Sequence, residues 1–120
     1  MKKGLFETEN HAVAGVYYHT DNIAQILEDH DRTLRRGKKI SIGEVSLEPE
    51  PNNLYDNHAI KVLIDNYHVG YIKKGSCTHV LQIINSGRID HLSAVIYRVD
   101  DDDSGDPFYT VTVSIFAKPE

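Results

Sequence analysis

Residues 51–75 read PNNLYDNHAIKVLIDNYHVGYIKKG, and the fold hangs on how this stretch divides. Pro49 to Asn57 is rich in proline, asparagine and aspartate, which favour turns. Ile60, Val62 and Ile64 then alternate as a strand with one buried face. Asp65-Asn66 reads as a tight turn into a second strand, His68–Ile72. Gly75 and Ser76 open a helix whose Cys77, Val80, Leu81 and Ile84 recur at i, i+3, i+4 and i+7. Gly87 ends it.

Working outward toward the N-terminus, the period of two continues. Ile40 and Ile42 share one face, and Val45 and Leu47 share a face with shifted phase. Gly43 between them predicts a bulge or sharp bend. Bent strands with glycine corners are how small barrels close. Upstream, Ile23, Ile26, Leu27, His30 and Leu34 form a helical stripe after the N-cap candidates Thr20 and Asp21. Arg32, Arg35 and Arg36 are expected in its last turn, with Gly37 as the residue after the cap. Residues 12–18 (AVAGVYY) read as the first strand. Toward the C-terminus two long strands are expected, about 89–99 and 107–117. In the last, Tyr109, Val111, Val113 and Ile115 line one face. The order is β-α-β-β-β-α-β-β, which predicts a mostly β (β/α+β) fold: a small antiparallel barrel with two inserted α-helices. A doubly wound sheet would need regular strand–helix alternation.

At 120 residues the chain holds one domain. Residues 1–11 read as a polar arm and 12–118 as a single domain. No apolar run reaches transmembrane length, and MKKGLFETEN has no apolar stretch behind its lysines, so no signal peptide is expected. The lone Cys77 excludes a disulfide framework and a thiolate zinc cluster. The chain therefore reads as cytoplasmic. The net charge of −5 argues at first against nucleic acid. However, Asp100, Asp101, Asp102, Asp103 and Asp106 supply five of the 18 acids, and the other 13 match the 13 bases.

Several chemistries are weakly signalled. Asp100, Asp102, Ser104 and Gly105 match the opening of a calcium loop, but its twelfth position is Val111 rather than Glu. A solvated hairpin tip explains the aspartates more simply. The seven histidines contain no i, i+4 helical pair and no H-x-H pair, so neither metal nor other cofactor is expected. Cys77 on an apolar helix face reads as a small buried hydrophobe. No hydrolase elbow, P-loop or dinucleotide fingerprint occurs. Tyrosine is the unusual feature: Tyr17, Tyr18, Tyr55 and Tyr71 lie at turns and strand ends, near Asn53, Asp56, Lys73 and Lys74. Such rings can stack on bases, lysines can neutralise phosphate, and Asp or Asn can take hydrogen bonds. The simpler reading of the composition is that the rings cover a barrel mouth with their hydroxyls wet.

AGVYYH (14–19), PNNLYDNHAIKV (51–62) and HVGYIKKG (68–75), in that order, resemble the HIRAN domain family. The resemblance spans roughly residues 12–117. It implies an OB-like or SH3-like barrel with inserted helices. It also implies a module that binds single-stranded DNA and captures a free 3′-hydroxyl end. In eukaryotes such domains sit at the front of fork-remodelling helicases; this chain resembles the stand-alone prokaryotic type. Tyr18 matches the stacking aromatic on the first strand, and Tyr55-Asp56 the pair whose ring packs on the terminal nucleotide and whose carboxylate accepts a hydrogen bond from the 3′-hydroxyl. Asn53 is similar to a polar contact before that pair, and Lys74 to a phosphate-contacting lysine. Three positions depart from the pattern. Leu54 replaces a proline, Tyr17 an arginine and Tyr71 a histidine, which keeps aromatic surface and lowers positive charge.

The reading that follows is a non-catalytic module for single-stranded DNA ends in DNA processing or repair, using Tyr17, Tyr18, Asn53, Tyr55, Asp56, Tyr71 and Lys74. A nuclease or helicase is the expected partner, and a pocket with few phosphate contacts predicts a shallow salt dependence. The alternative is a protein-interaction module or subunit of a nuclease or helicase assembly that does not touch DNA. A small metal-dependent hydrolase is a third reading.

Overall fold

The computed structural model describes residues 6–100 and 106–119. The chain runs β1 (Glu7–Ala14), a 3-10 turn (Val16–His19), α1 (Thr20–Asp29), β2 (Lys39–Ile40), β3 (Val45–Pro49), β4 (Ile60–Ile64) and β5 (Tyr67–Ile72). A second 3-10 turn (Lys74–Ser76), α2 (Cys77–Ser86), β6 (Ile89–Arg98) and β7 (Tyr109–Ala117) complete it. All strand pairs are antiparallel, in the order β2-β6-β7-β1-β5-β4-β3.

That order forces curvature. β2 and β3 are the two edges of the sheet, yet only Ser41–Glu44 separate them in sequence. From Ile40 to Val45 the chain can span about 17 Å at most, whereas the edges of a flat seven-stranded sheet would lie about 29 Å apart. The sheet therefore curls into a half-barrel, and β1 is the strand on which it turns. Its residues Glu7–Ala12 pair with β7, and Val13 and Ala14 pair with β5.

The core fills the concave side. Ile60, Val62 and Ile64 of β4, Val111, Val113 and Ile115 of β7, Ile23 and Ile26 of α1, and Val80 and Ile83 of α2 are all buried. The β4–β5 hairpin forms as the sequence predicts. Asp65 (φ 53°) and Asn66 (φ 68°) both take left-handed backbone, the two-residue turn that suits the strand twist.

Three expectations are corrected. The first strand is not 12–18: it begins at Glu7, inside the stretch read as an arm, and Tyr17 and Tyr18 leave it on the 3-10 turn. Next, α1 stops at Asp29, with no basic residue in its last turn and no side-chain cap from Thr20 or Asp21 at its start. Asp31 (φ 53°) takes the left-handed position expected of Gly37. The Arg32 amide bonds the Leu27 carbonyl and the Asp31 amide that of Glu28, a Schellman closure. Third, the strand expected across Ile40–Leu47 is two strands, so the order becomes β-α-β-β-β-β-α-β-β. Gly43 (φ 83°) is the break between them, and a Cβ there would meet Ile64 at 2.5 Å. This break is the sharp bend the sequence allowed at Gly43; a bulge lies in β5. Val62 faces Gly70 and Leu63 faces His68, so Val69 is the extra residue. Gly70 (φ 149°) follows, and a Cβ there would lie 2.5 Å from the Ala14 carbonyl oxygen, where β1 meets β5. Most of the calcium-loop reading, Asp102, Ser104 and Gly105, lies outside the described residues.

Candidate nucleic-acid interface

Five of the seven residues singled out in the sequence meet at one place. Asn53, Tyr55, Asp56, Tyr71 and Lys74, with Ala14, Ala59, Ile72 and Cys77, line a cavity of 440 Å³. β1 and β5 end there, and the 50–59 loop closes over it. Its volume falls in the range of small-ligand sites, about 300–1,000 Å³.

Asn53 builds the loop rather than projecting from it. Its Oδ1 accepts the Tyr55 amide (2.9 Å) and the Asp56 amide (3.0 Å), and its Nδ2 donates to Glu50 Oε1 (3.1 Å). Asp56 Oδ1 in turn accepts the His58 amide at 2.9 Å. This chain of short-range bonds turns Leu54 and Tyr55 outward, and both are 95% exposed. A tyrosine held in water by a fixed loop is available for stacking. Tyr71 is half-buried, and burial together with the neighbouring Glu50 carboxylate pushes its hydroxyl pKa up. The Asn53 amide, with Tyr71 and Lys61 behind it, holds Glu50 below the usual carboxylate range against the opposing effect of burial. Lys61 Nζ lies 3.2 Å from Glu50.

Tyr17 and Tyr18 do not line this cavity. They stand on the 3-10 turn that follows Ala14, 69% and 82% exposed. Tyr18 packs edge-on to Tyr17 (centroids 5.6 Å apart), and Tyr17 lies 6.3 Å from Phe108. Two histidines that the sequence offered only as metal candidates bridge the groups. His19 packs on His68 at 4.1 Å, and His68 meets the edge of Tyr71 at 4.9 Å. Burial lowers both histidine pKa values, and at His68 the repulsion from a protonated His19 adds to the effect, which favours the neutral rings. The result is an aromatic row from the tyrosine turn to the cavity. It was hidden in the sequence because residues three apart on a strand face opposite ways; the bulge at Val69 brings His68 and Tyr71 together.

Cys77 is buried and its Sγ donates to the Ile72 carbonyl at 3.5 Å. Burial, and secondarily Asp56, pushes its pKa up, which suits a packed thiol rather than a nucleophile. Among the described residues no three His, Cys, Asp or Glu side chains form a metal-holding group, and no helix is long and apolar enough to cross a membrane.

A curled antiparallel half-barrel carrying an open cavity, an aromatic row and a loop-mounted tyrosine defines a small ligand-binding module. The HIRAN domain family matches residues 6–118, and the chain belongs to that family. HIRAN domains are DNA-binding modules, generally non-catalytic. The fold is also similar to the crystal structure of the HIRAN domain of human HLTF (TM-score 0.53, 19% identity, 95% of this chain and 79% of that one). It is similar as well to a structural-genomics target from Lactobacillus plantarum (TM-score 0.51, 21% identity, 95% of this chain and 96% of that one). Among curated proteins, none matches the sequence.

Proposed function

We propose that this domain binds single-stranded DNA by its 3′-hydroxyl end, without catalysis, and serves a nuclease or helicase in DNA processing or repair. The observation that carries the reading is the convergence of Asn53, Tyr55, Asp56, Tyr71 and Lys74 on one cavity. In this reading Tyr55 and Tyr71 pack on the terminal nucleotide and Lys74 holds its phosphate. Asp56, with Oδ1 already accepting the His58 amide, accepts a hydrogen bond from the 3′-hydroxyl at its other oxygen. A terminal hydroxyl is a donor that a carboxylate accepts, whereas a 3′-phosphate would set anion against anion. His68, His19, Tyr18 and Tyr17 then supply rings for the preceding bases; base–aromatic stacking tolerates any sequence.

The test is fluorescence anisotropy with 5′-labelled oligonucleotides that differ only in a 3′-hydroxyl or a 3′-phosphate. Tighter binding of the hydroxyl end is expected, and Asp56→Asn should narrow the difference. Equal affinity for the two ends refutes end capture. Absence of binding to either leaves the protein-interaction reading in its place.

A further inference from the structure

The basic segment between α1 and β2 loses its simplest explanation in the structure. Arg32, Arg35 and Arg36 were expected to complement the end of α1, with Lys38 and Lys39 just beyond it, but the helix stops at Asp29 and closes through Asp31. The side chains of Arg32, Arg35, Lys38 and Lys39 are exposed, and among the described residues no carboxylate pairs with any of these four. Their backbone is nevertheless fixed. Leu34 is buried in the core, and Arg98 Nη1 donates to its carbonyl at 2.8 Å. The Gly37 amide bonds the Arg98 carbonyl (2.9 Å), and the Arg98 amide bonds the Lys38 carbonyl (3.0 Å). Arg98 itself is occupied by Asp100 at 2.9 Å. Four cations are thus displayed on an anchored loop and the first residue of β2, with no carboxylate partner among the described residues.

Their position gives them a ligand. Lys39 pairs with Tyr97 and Arg98 with Tyr109, and the β7–β1 ladder ends at Ala12–Thr112, just short of the Ala14–Tyr71 pair that borders the cavity. The basic loop, Phe108, the tyrosine turn and the cavity therefore lie along the same end of the sheet. β2 is three strand spacings from β1, about 14 Å along the sheet, or about four stacked nucleotides at 3.4 Å each. We propose that the α1–β2 loop holds backbone phosphates of the DNA strand upstream of its 3′ end. This rests on the reading that the cavity takes that end. Arg32, Arg35, Lys38 and Lys39 are then a second contact region, which supplies affinity without base specificity.

The experiment pairs two 5′-labelled strands, one of about three nucleotides that fills only the cavity and one of about ten that reaches the loop. Wild-type protein should bind the longer strand more tightly and with a steeper salt dependence. Changing all four cations to Gln should remove that length advantage. It should lower the slope of log K against log salt by about 0.7 per lost contact, up to about 3 in all. Discrimination between 3′-hydroxyl and 3′-phosphate on the short strand should persist. The pairs Arg32→Gln/Arg35→Gln and Lys38→Gln/Lys39→Gln should each show part of the loss, with melting temperatures near wild type. An unchanged slope and length advantage in the fourfold variant overturns the proposal. If the two end chemistries bind equally while the slope still falls, the loop contacts DNA and only the cavity reading fails.

Discussion

Removing the Asn53 side chain as Asn53→Ala separates a loop-building residue from a DNA-contacting one. The substitution deletes three hydrogen bonds: the acceptor for the Tyr55 and Asp56 amides and the donor to Glu50. Each is worth about 0.5–1.5 kcal/mol net, toward the low end where water can replace the partner. The Tyr55 side of the loop is exposed and the Asp56 side half-buried, so a loss of about 1–2 kcal/mol is expected. In a domain of this size that lowers Tm by roughly 4–8 °C. The decisive assay is amide hydrogen exchange on the free protein. The Tyr55 and Asp56 amides should lose their protection while those of β4 and β7 keep theirs. Binding of a 3′-hydroxyl oligonucleotide should weaken about tenfold, because Tyr55 and Asp56 are no longer held in place. If exchange and Tm stay unchanged while binding is lost, Asn53 touches the DNA itself and the loop-building argument is wrong.

Other perturbations divide stability from binding in different ways. Tyr55→Ala removes a ring that is 95% exposed, so Tm should hold while DNA binding falls by about 1–3 kcal/mol; a large drop in Tm would show that the ring packs somewhere. Gly70→Ala places a Cβ 2.5 Å from the Ala14 carbonyl oxygen at φ 149°. Urea denaturation should register a loss of about 2–3 kcal/mol. Asp65 is held below the ordinary carboxylate range by the Glu44 amide and then by His30. A lowered folded-state pKa means its stabilisation is present above the unfolded value near 4 and is lost as pH falls through and below it. Asp65→Asn, which tolerates the same left-handed backbone, should therefore lose less stability than wild type between pH 5 and 3. Cys77, buried with a raised pKa, should react with iodoacetamide only as fast as the domain opens, and a fast reaction at pH 8 would contradict its packing.

The hairpin β4–β5, the α2 stripe and the alternating face of β7 were legible because each follows a local rule. Two turn residues tolerate left-handed backbone, apolar positions recur at helical spacing, and apolar positions recur at period two. β1 was misplaced for an equally local reason. The half-buried positions of its exposed/half-buried alternation are Glu9, His11 and Val13, and two of those three are polar. Glu9 accepts hydrogen bonds from His11 and from His79 of α2 (2.9 and 2.8 Å), so the strand carries little hydrophobic signal. The end of α1 was overrun because Leu34 continues the helical spacing and is buried, although it reaches the core from a loop.

By itself the sequence determined the family and the mostly β character, and it supplied the candidate site residues, because motif, period and turn propensity are properties of neighbours along the chain. Tertiary structure decided how those residues are grouped. It gathered Asn53, Tyr55, Asp56, Tyr71 and Lys74 around one cavity and put Tyr17 and Tyr18 on a separate turn. It joined the two through His19 and His68. It also removed Arg32 and Arg35 from a helix end and set them, with Lys38 and Lys39, on the same end of the sheet. The physical reason is that these groupings depend on a bulge and on the curling of a seven-stranded sheet, and strand pairing between distant segments leaves no periodic mark in the sequence that makes it.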